Sequence, residues 1–395
     1  MRTSWMALVL VFCCCAVSAQ AVEVTLKDAG NVRLQLYGYV KADLTYDTQS
    51  TEPKNDVTFT FFALPETDGE KDSQTRLGAR ETRLGLNLFG PDAGEWKTAG
   101  KVEMDFYGGG GTANSYTPRI RLAYVDAAHS SGFSVRAGQD WDTFVELAPR
   151  IVNFAYLADV GALGLRRPQA RATQELKIAD NTKLVLKAAI AQTVGQDLDG
   201  GGFDDGSDAD YPTAQFNAAL HQKLWTEKAA RIAFSGHFGR ETLDSSVSNA
   251  VVATDVADYD TWSAQGSIFL PLTKCLAVQG NIWQGANLDT YYGGIGQGVN
   301  AALGEEIESS GGWAQLLYDP TDKLCFGLGY SVDDPDDEDL NAGQRSKNEM
   351  YLVNAAYKFT AALTAMAEYS QMTTDYLEGD DATNDRVQLA MRYAF

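Results

Sequence analysis

The 395-residue sequence has little of the residue types that most often carry enzyme chemistry. It contains three histidines, His129, His221 and His237, and it has no GxSxG, HExxH or P-loop motif and no Cys/His spacing typical of a metal site. Basic residues are also scarce, with 32 Lys and Arg against 53 Asp and Glu. The formal net charge of −21 argues against a nucleic-acid partner, because phosphate recognition requires clustered cations.

Long apolar runs are absent beyond the N-terminus. Residues 5–16 (WMALVLVFCCCA) follow Arg2 as an uncharged stretch that is too short to span a bilayer comfortably and is typical of a secretory signal. Small residues at 17–19 predict a signal peptide of residues 1–19 and a mature start at Gln20; a retained anchor is the alternative. Removing the signal leaves two cysteines, Cys275 and Cys325, so the exported chain lacks a disulfide framework.

Proline is scarce as well, at ten residues, whereas glycine (37) and aromatic residues (17 Phe, 18 Tyr and 7 Trp) are abundant. Short segments of alternating character recur along the chain. In residues 83–88 (RLGLNL) the three leucines share one face, and the same period of two continues to residues 387–395. This period indicates strands. Seven short connections alternate with eight long ones, among them residues 47–74, 108–116 and 142–164, which predicts sixteen strands.

An even number of antiparallel strands, with short turns at one rim and long loops at the other, is typical of an outer-membrane barrel. Closure of the barrel pairs every backbone donor and acceptor, so the chain needs no helix to cross lipid. We therefore expect an all-β protein in the outer membrane of a Gram-negative-type envelope. It would form a 16-stranded antiparallel transmembrane β-barrel, with residues 20–395 as one domain. A secreted β-sandwich or solenoid is the alternative, which the charged polar faces and the terminal Phe395 disfavour.

Positive charge is concentrated in residues 76–190, which hold 15 cations and 12 anions inside an otherwise acidic chain. The cations fall on the polar positions of consecutive strands, so we expect them to form one basic arc in the lumen. In residues 119–124, for example, Arg119 and Arg121 would oppose Ile120, Leu122 and Tyr124. Ionisable groups at membrane depth often mark a solute pathway, although a wall of salt bridges is the alternative. The predicted pore-lining basic residues are Arg83, Lys101, Arg119, Arg121, Arg136, Arg167, Arg171 and Lys187.

The connection over residues 142–164 is apolar and nearly free of glycine, unlike the other long loops. We expect it to fold into the barrel as a constriction loop; a loop that lies on the surface against lipid or another subunit is the alternative. It carries Asp142, Glu146, Arg150 and Asp159. Folded inward, its acids would face the basic arc across a narrow gap and create a transverse field that orients charged solutes.

Two further loops, residues 196–211 and 333–340, are strongly acidic. The aspartates of the first could gather Ca²⁺ weakly through oxygen ligands, but their spacing matches no complete EF-hand loop. We favour a solvated loop and expect no cofactor. Cys275 and Cys325 are predicted on strands two apart in the barrel, roughly 10 Å from each other at ~4.8 Å per neighbouring strand, which is beyond the reach of a disulfide. We therefore expect both as free thiols.

Four short motifs resemble the DcaP-like porins, a group within the trimeric outer-membrane porins. They are residues 38–43 (GYVKAD), 79–85 (ARETRLG), 136–144 (RAGQDWDTF) and 167–171 (RPQAR). The resemblance is clear over residues 36–178 and thins to strand pattern beyond them. It implies a 16-stranded homotrimer that passes small solutes, dicarboxylates among them. One departure is the N-terminus, where only residues 20–31 precede the first strand, whereas some members carry a coiled coil.

The resemblance also implies pore-wall positions for Arg83, Arg136, Arg167 and Arg171. We therefore predict a passive channel rather than an enzyme: a porin for small hydrophilic solutes that favours anions, embedded in outer-membrane lipid as a homotrimer. A structural or adhesive barrel with cation-binding acidic loops is one alternative. A barrel hydrolase built on the three histidines is another.

Overall fold

The computed structural model describes residues 22–26, 32–54, 56–66, 73–112, 115–195, 206–207, 209, 211–243 and 257–395. The predicted signal peptide and the start at Gln20 lie outside these ranges. Within them, no helix is both long enough and apolar enough to cross a membrane.

The regular secondary structure of the described chain consists almost entirely of strands. In chain order they are β1 (Val22–Leu26), β2 (Val32–Asp47), β3 (Thr51–Glu52), β4 (Phe62–Ala63), β5 (Gln74–Gly78), β6 (Arg83–Phe89), β7 (Trp96–Thr112), β8 (Ser115–His129), β9 (Phe133–Trp141), β10 (Arg166–Ala179), β11 (Thr182–Ala191), β12 (Thr213–Gln222), β13 (Ala230–Leu243), β14 (Ala257–Pro271), β15 (Leu276–Ala286), β16 (Val299–Asn300), β17 (Glu305–Glu306), β18 (Glu308–Tyr318), β19 (Leu324–Pro335), β20 (Arg345–Lys358), β21 (Leu363–Tyr376) and β22 (Ala382–Ala394). Two 3-10 turns, Asp289–Tyr291 and Asp337–Asp339, lie in the connections.

Sixteen antiparallel strands of the wall, which we call staves and of which one consists of β5 and β6 together, form one closed barrel. The second stave is interrupted: β5 pairs with residues 43–47 of β2, and β6 pairs with residues 33–39 of the same strand. The last strand, β22, pairs back with β2 from Tyr39–Ala394 to Asp47–Arg386 and so closes the barrel. The four short strands β3, β4, β16 and β17 lie outside this sheet. The predicted fold class is therefore confirmed.

The faces of the strands are arranged the opposite way to those of a soluble protein. In β2, for example, Lys41 and Asp43 are buried, whereas Val40, Leu44 and Tyr46 are exposed. The buried polar residues face the lumen, and the exposed apolar ones form the outer surface. An apolar outer face on a closed barrel is what a lipid-spanning barrel requires, because only apolar side chains are stable against hydrocarbon.

Two local predictions on β7 and β8 are wrong. Residues 108–116 were expected as a long loop, but β7 continues to Thr112 and β8 begins at Ser115, so the two strands extend as one irregular hairpin. Within this pair, Glu103 faces Leu122 while Met104 faces Ile120, which leaves Arg121 as an extra residue. Such a bulge reverses the alternation that follows it. Leu122 and Tyr124 therefore face the lumen together with Arg121.

Among the described residues, three loops fold into the barrel: L1 (residues 48–54 and 56–66, after β2), L3 (residues 142–165) and L6 (residues 287–307). Their apolar side chains and the inner wall form the core of the molecule. One cluster joins Leu147, Leu157 and Val160 of L3 to wall residues Trp313, Met350, Leu352 and Met372. A second joins Phe144 and Leu163 of L3 to Trp283 of the wall and to Leu288 and Tyr291 of L6. The inward fold of the predicted constriction loop is thus confirmed.

Candidate functional site

Polar groups of the far wall hold L3 in place. The buried carboxylate of Glu368 on β21 accepts hydrogen bonds from the backbone N–H groups of Val152 (2.7 Å) and Asn153 (3.1 Å). The indole of Trp283 on β15 donates to the Gly161 carbonyl at 2.7 Å. These bonds attach L3 along strands β15 to β21. The open part of the lumen is consequently the gap between L3 and the opposite wall, where the basic block lies.

The sequence had suggested that the acids at the start of L3 face the basic arc across open space. In the structure they contact its cations directly. Asp142 contacts Arg167 directly, with 2.8 Å between Oδ1 and Nε, and both side chains are fully buried. Glu146 binds Lys187 at 3.1 Å and lies 3.6 Å from Arg231. Two members of the predicted arc, Arg167 and Lys187, are therefore used to fix the root of L3 to the wall.

The other charged residues of L3 lie away from the arc. Arg150 binds Asp319, beside the short turn between β18 and β19, at 2.6 Å. Asp159 is buried against L6, where burial and the nearby Asp333 carboxylate raise its pKa well above the ordinary value. Burial likewise raises the pKa of Asp289 in L6 to about 6. The contact between L3 and L6 thus holds carboxyl groups that resist ionisation.

The central part of the arc is a network of shared carboxylates. Arg121 bridges Glu103 and Asp105, both at 3.0 Å. Asp105 also accepts two hydrogen bonds from Arg119, at 2.8 and 3.2 Å. Glu103 lies 3.5 Å from Arg83. Three guanidinium groups therefore share two carboxylates, which leaves this part of the wall with an excess of positive charge.

A second part of the arc is balanced. Arg136 contacts Asp126 and Asp140, and Arg171 contacts Asp140 at 2.9 Å. Two guanidinium groups thus meet two carboxylates. Lys101 lies over the ring of Tyr37, 4.7 Å from its centroid. The predicted arc is therefore divided into separate groups of mostly paired charges rather than one continuous positive surface.

The gap between L3 and the wall contains a cavity of about 410 Å³. The wall contributes its charged surface, with Arg83, Glu103, Arg121 and Arg166. The L3 surface is largely apolar and includes Val145, Leu147, Pro149, Phe154 and Ala158. Glu146 also borders the cavity but is already paired with cations. A solute in this cavity would meet positive charge on one side and an apolar surface on the other.

A larger cavity of about 930 Å³ lies toward the rim of the long loops. Its charged lining residues are Lys54, Asp56, Arg76, Arg80 and Arg119. Phe59 of L1 and Tyr292 of L6 border both cavities, so these two rings mark where the cavities meet. The narrow section is accordingly formed by L1, L3 and L6 together.

Sequence reasoning missed two parts of this site. L1 and L6 were expected as ordinary external loops, although the aromatic run at residues 59–62 (FTFF) was an available signal for L1. Arg166 was also missed, because strict alternation assigns the lumen to its neighbour Arg167. At the first two positions of β10 both arginines face inward: Arg166 into the smaller cavity, and Arg167 under L6.

The structure brings one histidine together with a serine and an acid. His129 lies 2.8 Å from the Ser131 hydroxyl and 3.0 Å from Glu95. These three residues lie at a short turn at the rim. The Nδ1 atom of His129 also accepts a hydrogen bond from the backbone N–H of Ser131, which is a turn-capping contact. His221 and His237 lie on β12 and β13. None of the three histidines borders the two cavities.

Cys275 and Cys325 are free thiols, as predicted. The aspartates of residues 196–211 that were considered for Ca²⁺, at positions 197, 199, 204, 205, 208 and 210, lie outside the described residues. Within the described ranges, no group of three or more His, Cys, Asp or Glu is arranged to hold a metal ion.

Solved structures of outer-membrane channels share this architecture. The outer membrane channel DcaP of Acinetobacter baumannii is 21% identical, with a TM-score of 0.71 and coverage of 94% of this chain and 99% of that chain. The anion-selective porin from Comamonas acidovorans is 14% identical, with a TM-score of 0.60 and coverage of 92% and 100%. The trimer form of OmpT, an outer membrane protein of Vibrio cholerae, is 11% identical, with a TM-score of 0.54 and coverage of 92% and 99%.

No protein-family model matches the chain, and neither does any curated protein sequence. At these identities the solved structures establish the fold, which is that of the outer-membrane porins. The resemblance to DcaP-like porins, carried in the sequence by motifs before residue 178, extends as a shared fold over 94% of the chain.

Proposed function

We propose that this protein is a porin, a passive diffusion channel in the outer membrane for small hydrophilic solutes, which favours anionic ones such as dicarboxylates. The observation that carries the proposal is the narrow section itself. Three loops fold into a closed barrel and leave a passage that has a basic wall on one side and the apolar surface of L3 on the other. The similar structures include an outer membrane channel and an anion-selective porin, which supports the same function.

The charge balance at the constriction argues for anions over cations. Arg83, Arg119, Arg121 and Arg166 stand against two carboxylates, Glu103 and Asp105. Two positive charges are left over, which a dicarboxylate would neutralise. The net charge of −21 opposes this preference only weakly, because most of it falls in residues 191–395 and charges beyond about 8 Å are screened at physiological ionic strength. The attraction between a solute anion and the cations that line a narrow passage is screened less than the field of distant charges.

We also propose that the protein is a homotrimer embedded in lipid. The apolar outer face of the staves supports embedding, and the trimer form of a similar barrel supports the assembly. No covalent step and no cofactor are required for this function.

Planar-bilayer recording tests the proposal. In a KCl gradient we expect discrete conductance steps and a reversal potential shifted from zero toward the equilibrium potential of chloride. Succinate should block the KCl current more strongly than an uncharged sugar of similar size. In liposome-swelling assays dicarboxylates should enter faster than diamines of equal length. A barrel without conductance steps would instead be structural or adhesive, and a cation-selective channel indifferent to succinate would overturn the anion preference.

A further inference from the structure

We infer that Arg166 is the residue that contacts permeating anions directly and sets the anion preference of the constriction, whereas the other arginines of the wall mainly hold its structure. This inference rests on the proposed channel function. It concerns a residue outside the predicted basic arc, at the first position of β10, where the chain leaves L3.

Arg166 differs from its neighbours in having no anionic partner. Among the described residues its side chain forms no salt bridge and no hydrogen bond, and its guanidinium lies over the indole of Trp141, 4.7 Å from the ring centroid. Of the three cations that border the smaller cavity, Arg121 is tied to two carboxylates and Arg83 is 3.5 Å from Glu103. Arg166 therefore brings its full charge to the cavity.

Arg83 is the nearest rival for this role. Its Nε and Nη2 also have no hydrogen-bond partner, but both atoms are buried, and the guanidinium is covered by the rings of Tyr39 and Phe154. A solute cannot reach those donors without displacing L3. No donor of Arg166, by contrast, is among the fully buried side-chain atoms that lack a partner in the described part of the chain, and its side chain lines the cavity with the guanidinium over Trp141.

The surroundings of Arg166 make an anion favourable at this point. Arg166 is largely buried, and Arg121 and Arg119 act on it as like charges more strongly than Asp105 attracts it, so the site has too little negative charge without a solute. A carboxylate placed there would relieve this repulsion. The planar guanidinium can donate two parallel hydrogen bonds to a carboxylate, and stacking on an indole holds the group ready for such contact. The ligand class is consequently a carboxylate-bearing solute.

The chain offers a matched control in Arg171, five residues further along β10. It also lines the lumen wall, but it contacts Asp140, which Arg136 binds as well. Removing Arg171 changes the formal charge by the same amount as removing Arg166 and leaves Asp140 paired. A difference between the two variants in succinate block or reversal potential then reflects where the arginine lies and whether it is paired with a carboxylate, because the change in net charge is the same.

The experiment compares the parent with Arg166→Gln, Arg166→Lys and Arg171→Gln by single-channel recording in KCl, with succinate as the probe. Heat-modifiable mobility on SDS gels first verifies that each variant is a folded barrel. Arg166→Gln should raise the half-blocking succinate concentration by about tenfold or more and shift the reversal potential toward cations. Arg171→Gln should change block by less than about threefold. Arg166→Lys should keep the reversal potential near that of the parent yet weaken succinate block, because charge remains but the planar fork is lost.

The results separate this inference from the function on which it rests. A parent channel that shows neither chloride preference nor succinate block overturns the proposed anion function. A parent that shows both, together with an Arg166→Gln variant that behaves like it, leaves the function standing and overturns the role of Arg166. Equal losses in Arg166→Gln and Arg171→Gln would also overturn it, because the effect would then follow net charge alone.

Discussion

The hold of Glu368 on L3 gives a prediction whose size follows from the structure. Its carboxylate accepts the backbone N–H groups of Val152 and Asn153, at 2.7 and 3.1 Å, and these residues are only 6% and 1% exposed. Replacing Glu368 with alanine leaves both donors buried without a partner. A hydrogen bond to a charged acceptor contributes ~1.5–3 kcal/mol, so the pair contributes ~3–6 kcal/mol to keeping this part of L3 closed.

Every ~1.4 kcal/mol corresponds to a factor of ten in an equilibrium constant, so local opening of L3 should increase roughly 10²- to 10⁴-fold. Hydrogen–deuterium exchange of the peptide covering residues 150–156 measures this opening directly. Glu368→Gln keeps one carbonyl acceptor and should produce a smaller increase. Glu349→Gln, on the neighbouring strand β20, is the control, because Glu349 bonds Tyr330 rather than L3.

Opening of L3 should also appear in single-channel recordings of Glu368→Ala as added noise and as substates of higher conductance. The reasoning is refuted if exchange of residues 150–156 in Glu368→Ala stays within about threefold of the parent. That result would mean that the apolar contacts of L3 hold the loop without the buried carboxylate.

Two further predictions concern L3 and its contact with L6. Deleting residues 149–160 removes much of the apolar side of the smaller cavity, so conductance should rise and discrimination between solutes should fall in bilayer recordings; an unchanged conductance would contradict the location of the constriction. Burial raises the pKa of Asp289 to about 6, so ionising it costs more in the folded protein than in the unfolded one. The contribution of Asp289 to stability should therefore be largest below pH ~4 and should fall by up to ~3 kcal/mol as the pH rises from about 4 to about 6; Asp289→Asn should remove this loss in thermal unfolding between pH 4 and 8, and a pH profile identical to the parent's would contradict the assignment.

The strand pattern was readable because it depends on the simplest local rule. In a barrel that crosses lipid, every second side chain must be apolar, so the alternation survives at the level of sequence. The apolar character of residues 142–164 likewise revealed L3, because a loop with so many apolar side chains is unfavourable in water. The count of staves and the inward loop followed from these two signals.

The errors arose where one residue changes the alternation. The extra residue at Arg121 reverses the faces of β8, so Leu122 and Tyr124 point into the lumen. At the start of β10, the exit from L3 turns Arg166 inward beside Arg167. Neither irregularity has a distinct composition, because a bulge is chosen by the pairing of neighbouring strands rather than by the residue itself.

Pairing of charges was also beyond the reach of the sequence. Counting cations along the chain could not separate Arg171, whose Asp140 partner lies on β9, from Arg166, which stacks on Trp141 and has no acid partner among the described residues. Nor could it show that Asp142 and Glu146 are consumed by Arg167 and Lys187 at the root of L3. These are contacts between different strands and loops.

By itself, then, the sequence determined the class of structure: a chain whose period of two makes a lipid-facing barrel, with one loop too apolar to remain outside. Tertiary structure alone decided the chemistry of the passage. Selectivity depends on which charges remain unpaired, and pairing depends on distances of a few ångströms between residues that are far apart in the chain, such as Lys41 and Glu81 or Arg150 and Asp319. Because a paired charge and a free charge have the same sequence signature, only the folded barrel distinguishes the arginines that are paired with carboxylates from Arg166, which has no such partner among the described residues.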